Sequence, residues 1–132
     1  MSRLLRAVLC DNWSQTSGKN NLIGIFDRWT VPGLPFFCPQ FCLNALVEAT
    51  KGPHSFKIQV ANEQDQPLGP PQEIPFICDS SSVPHTVNMT YSAFVLTKPG
   101  MTRFMLHIDD EFVGEATFIV VTPKKTAEEV PQ

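Results

Sequence analysis

The stretch RFMLHIDDEFVGEATFIVV (residues 103–121) decides the fold class of this chain. In its first half Phe104, Leu106 and Ile108 alternate with other side chains, which places all three on one face of a strand. The acidic run Asp109-Asp110-Glu111 interrupts the pattern, and a second alternating stretch follows. Two such stretches joined by a short turn predict a β-hairpin.

The same period of two recurs along the rest of the chain, whereas no window repeats with a helical period beyond two turns. Proline or polar residues fill the connections 12–20, 31–39 and 64–75. Seven or eight short strands of this kind predict an all-β fold, a two-sheet antiparallel β-sandwich of immunoglobulin-like architecture. The earlier predicted strands are 3–11, 21–30, 41–49, 54–62, an edge strand at 74–78 that contains Pro75, and 86–96.

Length and charge limit the domain count and the classes of partner. The 132 residues fit one domain, which we expect to span 1–122, followed by a charged, flexible tail at 123–132. Ten Lys and Arg against thirteen Asp and Glu give a net charge of −3 without a basic run. This balance predicts no nucleic-acid partner and no membrane partner.

The N-terminal apolar stretch is too short for a secretion signal, because Arg6 interrupts it and Asp11 ends it. We therefore expect a cytoplasmic protein whose four cysteines are free, buried thiols. Cys38 and Cys42 have a spacing that permits zinc, yet no second pair or histidine lies near them in sequence. The sequence thus predicts no metal site and no cofactor.

The strongest catalytic candidates are His107 and Asp109, which the alternation places on one strand face as a possible His–carboxylate pair. His54 and His85 each follow a proline and belong to predicted loops. No nucleophile elbow, phosphate loop or dinucleotide motif accompanies them, so we expect no enzyme. The acidic turn could join Glu63 or Asp65 around calcium, but acidic hairpin turns are common without it.

The best candidate for a binding segment is the proline-rich loop 31–39, with Leu34, Phe36 and Phe37 held between prolines. Prolines lower the entropy lost on binding, and exposed Phe and Leu side chains supply apolar contact area. The alternative is that this loop covers an open sandwich end and hides its rings. The leading hypothesis is a non-catalytic protein-binding or assembly module with a protein partner or self-association. The second is a small-ligand or metal-binding β domain, possibly enzymatic, that uses His107 and Asp109.

The opening part of the chain carries a family resemblance. Leu9-Cys10-Asp11 is followed by Gly18-Lys19 and then by NLIGIFDR at 21–28. The pattern resembles that of an uncharacterised bacterial family of small proteins, a domain of unknown function that begins with LCD…GKxNLIGIFDR. Residues 56–60, 104–109 and 113–115 are similar to later parts of the same family. The resemblance implies a compact β-rich protein and assigns no activity.

Overall fold

A computed structural model describes residues 2–123, and within this range the chain forms strands and no helix. None of its elements is therefore a helix that could cross a membrane. The predicted tail at 123–132 lies outside the described residues, apart from Pro123. The strands are β1 Arg3–Thr16, β2 Lys19–Phe26, β3 Arg28–Thr30, β4 Phe36–Phe37, β5 Phe41–Glu48, β6 Gly52–Asn62, β7 Gln72–Cys78, β8 His85–Tyr91, β9 Val95–Leu96, β10 Gly100–Ile108 and β11 Glu111–Val121.

The strands form two main sheets and one short ribbon. The first sheet has the order β2-β1-β5-β8, the second has the order β3-β11-β10-β6-β7, and β4 pairs with β9. All pairs of strands are antiparallel except β3 with β11, which is parallel. The prediction of an all-β sandwich is confirmed, and the eight longer strands match the number expected from the sequence.

The core lies between the two main sheets because alternate residues of each strand point inward. In β10 the buried side chains are Phe104, Leu106 and Ile108, as the alternation predicted. Phe41 at the start of β5 is fully buried at the centre of a cluster of aromatic rings. This cluster fills the sandwich beneath the end where β9 lies.

The first hairpin, β1 with β2, differs from the polar connection predicted at 12–20. Both strands continue to a tight turn at Ser17 and Gly18, which have positive φ angles of 53° and 76°. Asn20 near this turn donates a hydrogen bond from Nδ2 to Thr86 Oγ1 of β8, 3.2 Å away. Because β8 is the far edge strand of the same sheet, the hairpin must bend back across the outer face of that sheet.

Gly24 stands opposite Asp11 in this hairpin, where the strand pairing is interrupted although the register is the same on both sides. Gly24 has φ +70°, and a Cβ atom there would stand 2.3 Å from Asp11 Oδ2. Gly24→Ala should therefore lower the free energy of unfolding by about 1 kcal/mol through backbone strain, with the flexible Asp11 side chain moving aside. Urea unfolding followed by tryptophan fluorescence measures the change. Gly33→Ala, where a Cβ meets open space, should leave stability nearly unchanged, and equal losses in both variants would contradict backbone strain at Gly24.

Two predicted strands are interrupted where the backbone changes direction. The segment 21–30 divides at Asp27, and the chain passes from the first sheet to the second between β2 and β3. The segment 86–96 divides at Ala93, whose φ is 59°, so that β9 leaves β8 and pairs with β4. Hydrophobic alternation continues through Ala93, which explains why the sequence pattern did not locate the second break, whereas the charged pair Asp27-Arg28 marks the first.

Candidate functional site

The most developed concave surface is a groove at one end of the sandwich, which we call the end groove. It has a volume of about 500 Å³ and lies between the β6–β7 loop (62–68) and the segment 93–99 that contains β9. Phe94 and the buried Leu96 belong to its lining, together with Met101 and the buried Thr102 from β10. An apolar base between polar loops is typical of binding sites for small molecules and peptides.

Asn62 organises the loop that forms one wall of the end groove. Its Oδ1 accepts hydrogen bonds from the backbone N–H groups of Gln64 and Gln66, both at 2.9 Å. Its Nδ2 donates to Gln66 Oε1 at 2.8 Å, and the backbone N–H of Leu68 donates to Val60 O. A loop with this many internal hydrogen bonds loses little entropy when a ligand binds against it.

The opposite wall contains strand β9. All residues from Ala93 to Thr97 line the groove, whereas neither residue of β4 does. β4 occupies one side of β9, and the other side of β9 has no partner strand among the described residues. Backbone N–H and C=O groups on such an edge can pair with an additional extended strand.

An apolar side chain stands beside the groove on the β4–β9 ribbon. Phe37 is 71 % exposed and lies directly opposite Val95, which itself lines the groove. Side chains of directly opposed residues lie on the same face of a β-ribbon. Leu68, which is also exposed, lines the facing loop. The end groove therefore has exposed apolar side chains on both walls.

The three residues predicted for binding, Leu34, Phe36 and Phe37, have different surroundings. Leu34 and Phe36 are half-buried and pack against the core, and the backbone of Phe36 pairs with that of Leu96. Of the three, Phe37 alone is exposed. The two-residue strand β4 separates the two rings because successive side chains of a strand point to opposite faces.

The structure pairs Asp109 with His54 and leaves His107 elsewhere. Asp109 Oδ2 lies 2.6 Å from His54 Nδ1, and its Oδ1 accepts a hydrogen bond from the backbone N–H of Ser55. His54 Nε2 lies 2.7 Å from the carbonyl oxygen of Thr50. His107 packs edge-on against Phe112, and its buried Nδ1 has no hydrogen-bond partner among the described residues.

The contacts of His54 require a protonated ring. A carbonyl oxygen and a carboxylate both accept hydrogen bonds, so both ring nitrogens must donate. The hydrogen bond with Asp109 raises the pKa of His54, and the Thr50 carbonyl adds to the effect. The same contact lowers the pKa of Asp109. The pair connects β6 to the β10–β11 turn.

The acidic residues considered for calcium, apart from Glu111, each have another partner. Asp110 Oδ1 lies 2.9 Å from Lys57 Nζ, and Asp65 pairs with Arg103, which also contacts Glu115. Glu63 accepts a long hydrogen bond from the backbone N–H of Met101. The described residues contain no group of three or more His, Cys, Asp or Glu side chains suited to a metal ion.

The cysteines considered for zinc do not converge. Cys38 belongs to the core cluster, where burial raises the pKa of its thiol to about 11. Cys42 lies on the outer face of the first sheet, with Sγ 3.7 Å from Thr90 Oγ1. All four cysteines are buried and free.

Residues 62–68 and 93–99 were not identified from the sequence as a site. The signals were present but indirect: Asn62 precedes a polar run, and Lys98-Pro99-Gly100 marks a turn. Their convergence depends on the pairing of Thr102 with Asn62, which joins β10 to β6. A long-range register of this kind cannot be derived from local patterns.

Among solved structures, the chain resembles the alkylpurine DNA glycosylase AlkC of Pseudomonas fluorescens, bound to DNA containing an abasic-site analogue. The TM-score is 0.55 at 10 % identity over 91 % of this chain, and the match spans only 30 % of the glycosylase chain. An immunoglobulin-like protein from Pseudomonas aeruginosa matches with a TM-score of 0.44 at 15 % identity, over 91 % of this chain and 96 % of that one. No curated protein matches the chain.

The glycosylase match corrects one prediction made from charge. The net charge of −3 led us to exclude a nucleic-acid partner, yet a fold of this kind forms part of a protein solved on DNA. Net charge sums the whole surface, whereas nucleic-acid binding depends on the local arrangement of charges. The prediction that excluded a nucleic-acid partner was therefore wrong.

The predicted membership of an uncharacterised family is confirmed by a family model that matches residues 5–121. This range includes all eleven strands except the first two residues of β1. The chain belongs to the family of unknown function DUF6941.

Proposed function

We propose that this protein is a non-catalytic binding module whose end groove receives an extended peptide segment of another protein. The observation that carries the proposal is that β9, which is paired on one side only, belongs to the lining of a cavity of about 500 Å³. A peptide that adds as a strand to β9 would gain backbone hydrogen bonds, and its alternate side chains could enter the cavity.

The lining of the groove supports a peptide of mixed polarity. Phe94 and Leu96 supply apolar contact, while the loop of Asn62 to Gln66 supplies side-chain amides. Glu63 and Lys98 bring opposite charges to the same lining. A site without a dominant charge favours neutral, amphipathic segments.

A non-catalytic role is supported by the state of the catalytic candidates. Both oxygens of Asp109 and both ring nitrogens of His54 take part in contacts that hold loops together. His107 packs against Phe112 on a sheet face, away from Asp109. We also propose a cytoplasmic location, supported by the four reduced cysteines, and cell fractionation would test it.

The groove is tested by selecting binders from a displayed library of random peptides. We expect the selected peptides to bind Val95→Ser with Leu68→Ser at least about tenfold more weakly than the unmodified chain, because each side chain lines one wall of the groove and apolar area on both walls is lost. Both side chains are exposed, so the fold should persist. Isothermal titration measures the affinities, and circular dichroism checks the fold.

Phe112→Ser is the matched control, because Phe112 is 54 % exposed on the β10–β11 hairpin and does not line the groove. It should bind the peptides as the unmodified chain does. A DNA duplex with an abasic-site analogue is titrated in parallel, since the glycosylase neighbour was solved on such DNA. If no peptide is selected and the duplex binds, the peptide proposal is wrong and a nucleic-acid role replaces it.

A further inference from the structure

Two buried thiols face each other across neighbouring strands of the first sheet. Cys10 of β1 and Cys42 of β5 are directly opposed in antiparallel register. Their chain neighbours Leu9 and Leu43 are also opposed and point into the core. Because strand side chains alternate, both thiols project from the opposite, outer face.

The spacing of opposed residues suits a disulfide. Cα atoms of opposed residues in antiparallel strands lie about 4.5–5.5 Å apart. This interval falls within the Cα separation of about 4.4–6.8 Å that disulfides require. No other pair of cysteines in this chain is opposed in strand register: Cys78 faces Gly52, and Cys38 lies between β4 and β5.

The tip of the β1–β2 hairpin contacts the face of the sheet on which this pair lies. Cys10 is 0 % and Cys42 is 3 % exposed, although neither belongs to the core cluster between the sheets. Thr86 and Thr90 alternate with the core residues Val87 and Tyr91, so they share the outer face. The hydrogen bond from Asn20 to Thr86 draws the hairpin across that face.

We propose that Cys10 and Cys42 form a reversible disulfide when the chain meets a hydroperoxide and the β1–β2 hairpin opens. With the hairpin closed, burial raises the pKa of the Cys10 thiol, and the neighbouring Cys42 adds to this effect. The thiol form reacts slowly with peroxides, because the thiolate is the nucleophile. Opening of the hairpin admits water and peroxide together.

The reaction balances with hydrogen peroxide as the oxidant. One thiolate attacks a peroxide oxygen, the O–O bond breaks, and hydroxide leaves and takes up the proton that the thiol lost. The resulting sulfenic acid is attacked by the second thiolate, the S–S bond forms, and the S–O bond breaks. Its hydroxide takes the second thiol proton. Two thiols and one peroxide thus give one disulfide and two waters.

The test uses the full native chain, reduced, freed of reductant and treated with hydrogen peroxide. We expect a mass lower by two hydrogen atoms, reversed by a dithiol reductant. Digestion with trypsin alone cannot separate Cys38 from Cys42, since both lie in the fragment 29–51. Chymotrypsin cleavage after Phe41 separates them, so the linked peptide should contain Cys10 and Cys42 without Cys38.

Three results would overturn the proposal. The first is a disulfide-linked peptide that contains Cys38 or Cys78. The second is oxidation in which single sulfurs gain oxygen atoms and no disulfide forms. The third is that the native chain does not react under conditions that oxidise the denatured chain. Cys10→Ser should abolish the mass loss, whereas Cys78→Ser should retain it. If a serine variant fails to fold, peptide mapping of the oxidised, unmodified chain still distinguishes these outcomes.

The role of the hairpin is tested with Asn20→Ala. This change removes the one hydrogen bond to Thr86 of the sheet and two bonds within the hairpin, which Asn20 Oδ1 accepts from Trp13 and Gln15, while leaving both thiols in place. Disulfide formation should become about fivefold faster, the factor that corresponds to one lost hydrogen bond in the closed state. Gln15→Ala is the matched control, because Gln15 bonds to Asn20 within the hairpin and not to the sheet. Equal rates in all three proteins would contradict gating by the hairpin.

Discussion

Phe41→Ala is expected to lower the free energy of unfolding by about 3–5 kcal/mol, the range for removing a buried aromatic ring. Phe41 is fully buried. Its ring centroid lies within 5.2–6.3 Å of six other aromatic rings, those of Phe26, Trp29, Tyr91, Phe94, Phe104 and Phe118. Rings from both main sheets surround the cavity that would remain, so neighbouring side chains can collapse into it only in part.

A loss of this size is a large share of the roughly 5–15 kcal/mol that holds a typical domain folded. Urea unfolding followed by circular dichroism measures it, with Phe112→Ala as the comparison. Phe112 is 54 % exposed, and among the described aromatic rings it contacts only His107, edge-on. We therefore expect Phe112→Ala to lower the free energy of unfolding by less than about 1 kcal/mol. Similar losses at both positions would show that the aromatic cluster does not hold the sheets together.

The second large effect concerns pH. His54 is 8 % exposed and donates to Asp109 and to the Thr50 carbonyl. Its pKa in the folded chain is raised above its ordinary value of 6.5, so the contact stabilises the fold fully below pH 6.5. The stabilisation is lost as the pH rises through the raised pKa. His54→Gln should therefore cost about 2 kcal/mol near pH 6 and progressively less at higher pH.

Asp109 sets the lower limit of the pH range in which this contact stabilises the fold. Its pKa is lowered from 3.8, so its contribution is present above that value and is lost as the pH falls through the lowered pKa. Urea unfolding of both proteins between about pH 5, where Asp109 is ionised, and about pH 9 measures how the stabilisation is lost on the alkaline side. His85→Gln is the control, since His85 stacks on the same Phe76 ring without contacting Asp109. A pH-independent cost for His54→Gln would contradict a protonated His54.

The hairpin at 103–121 was predicted correctly because one face of β10 is buried against the core along its whole length. The β1–β2 hairpin was missed for the opposite reason. Asn12, Ser14 and Gln15 have low strand propensity, and their pairing with β2 is stabilised by contacts to a distant strand. The dipeptide Ser17-Gly18 was the available turn signal.

The candidate sites could be predicted only in part. The composition of loop 31–39 predicted Phe36 and Phe37 together as binding residues. The structure places the two rings on opposite faces of β4 because β4 pairs with β9, and no local pattern reveals this pairing. Asp109 was assigned to His107 because the two are close in sequence. The observed partner, His54, is brought to it by the pairing of β6 with β10. Pairing between strands that are far apart in sequence depends on how the whole core packs.

The position of β11 has a consequence for how the protein folds as it is synthesised. β11 is the next-to-last element of the second sheet, inserted between β10 and the much earlier β3. Until residues 111–121 have left the ribosome, β3 has no neighbour, and β10 exposes an unpaired edge beside its apolar face. Completion of the second sheet therefore waits for β11, and until then the open edge of β10 can pair with the edges of other chains.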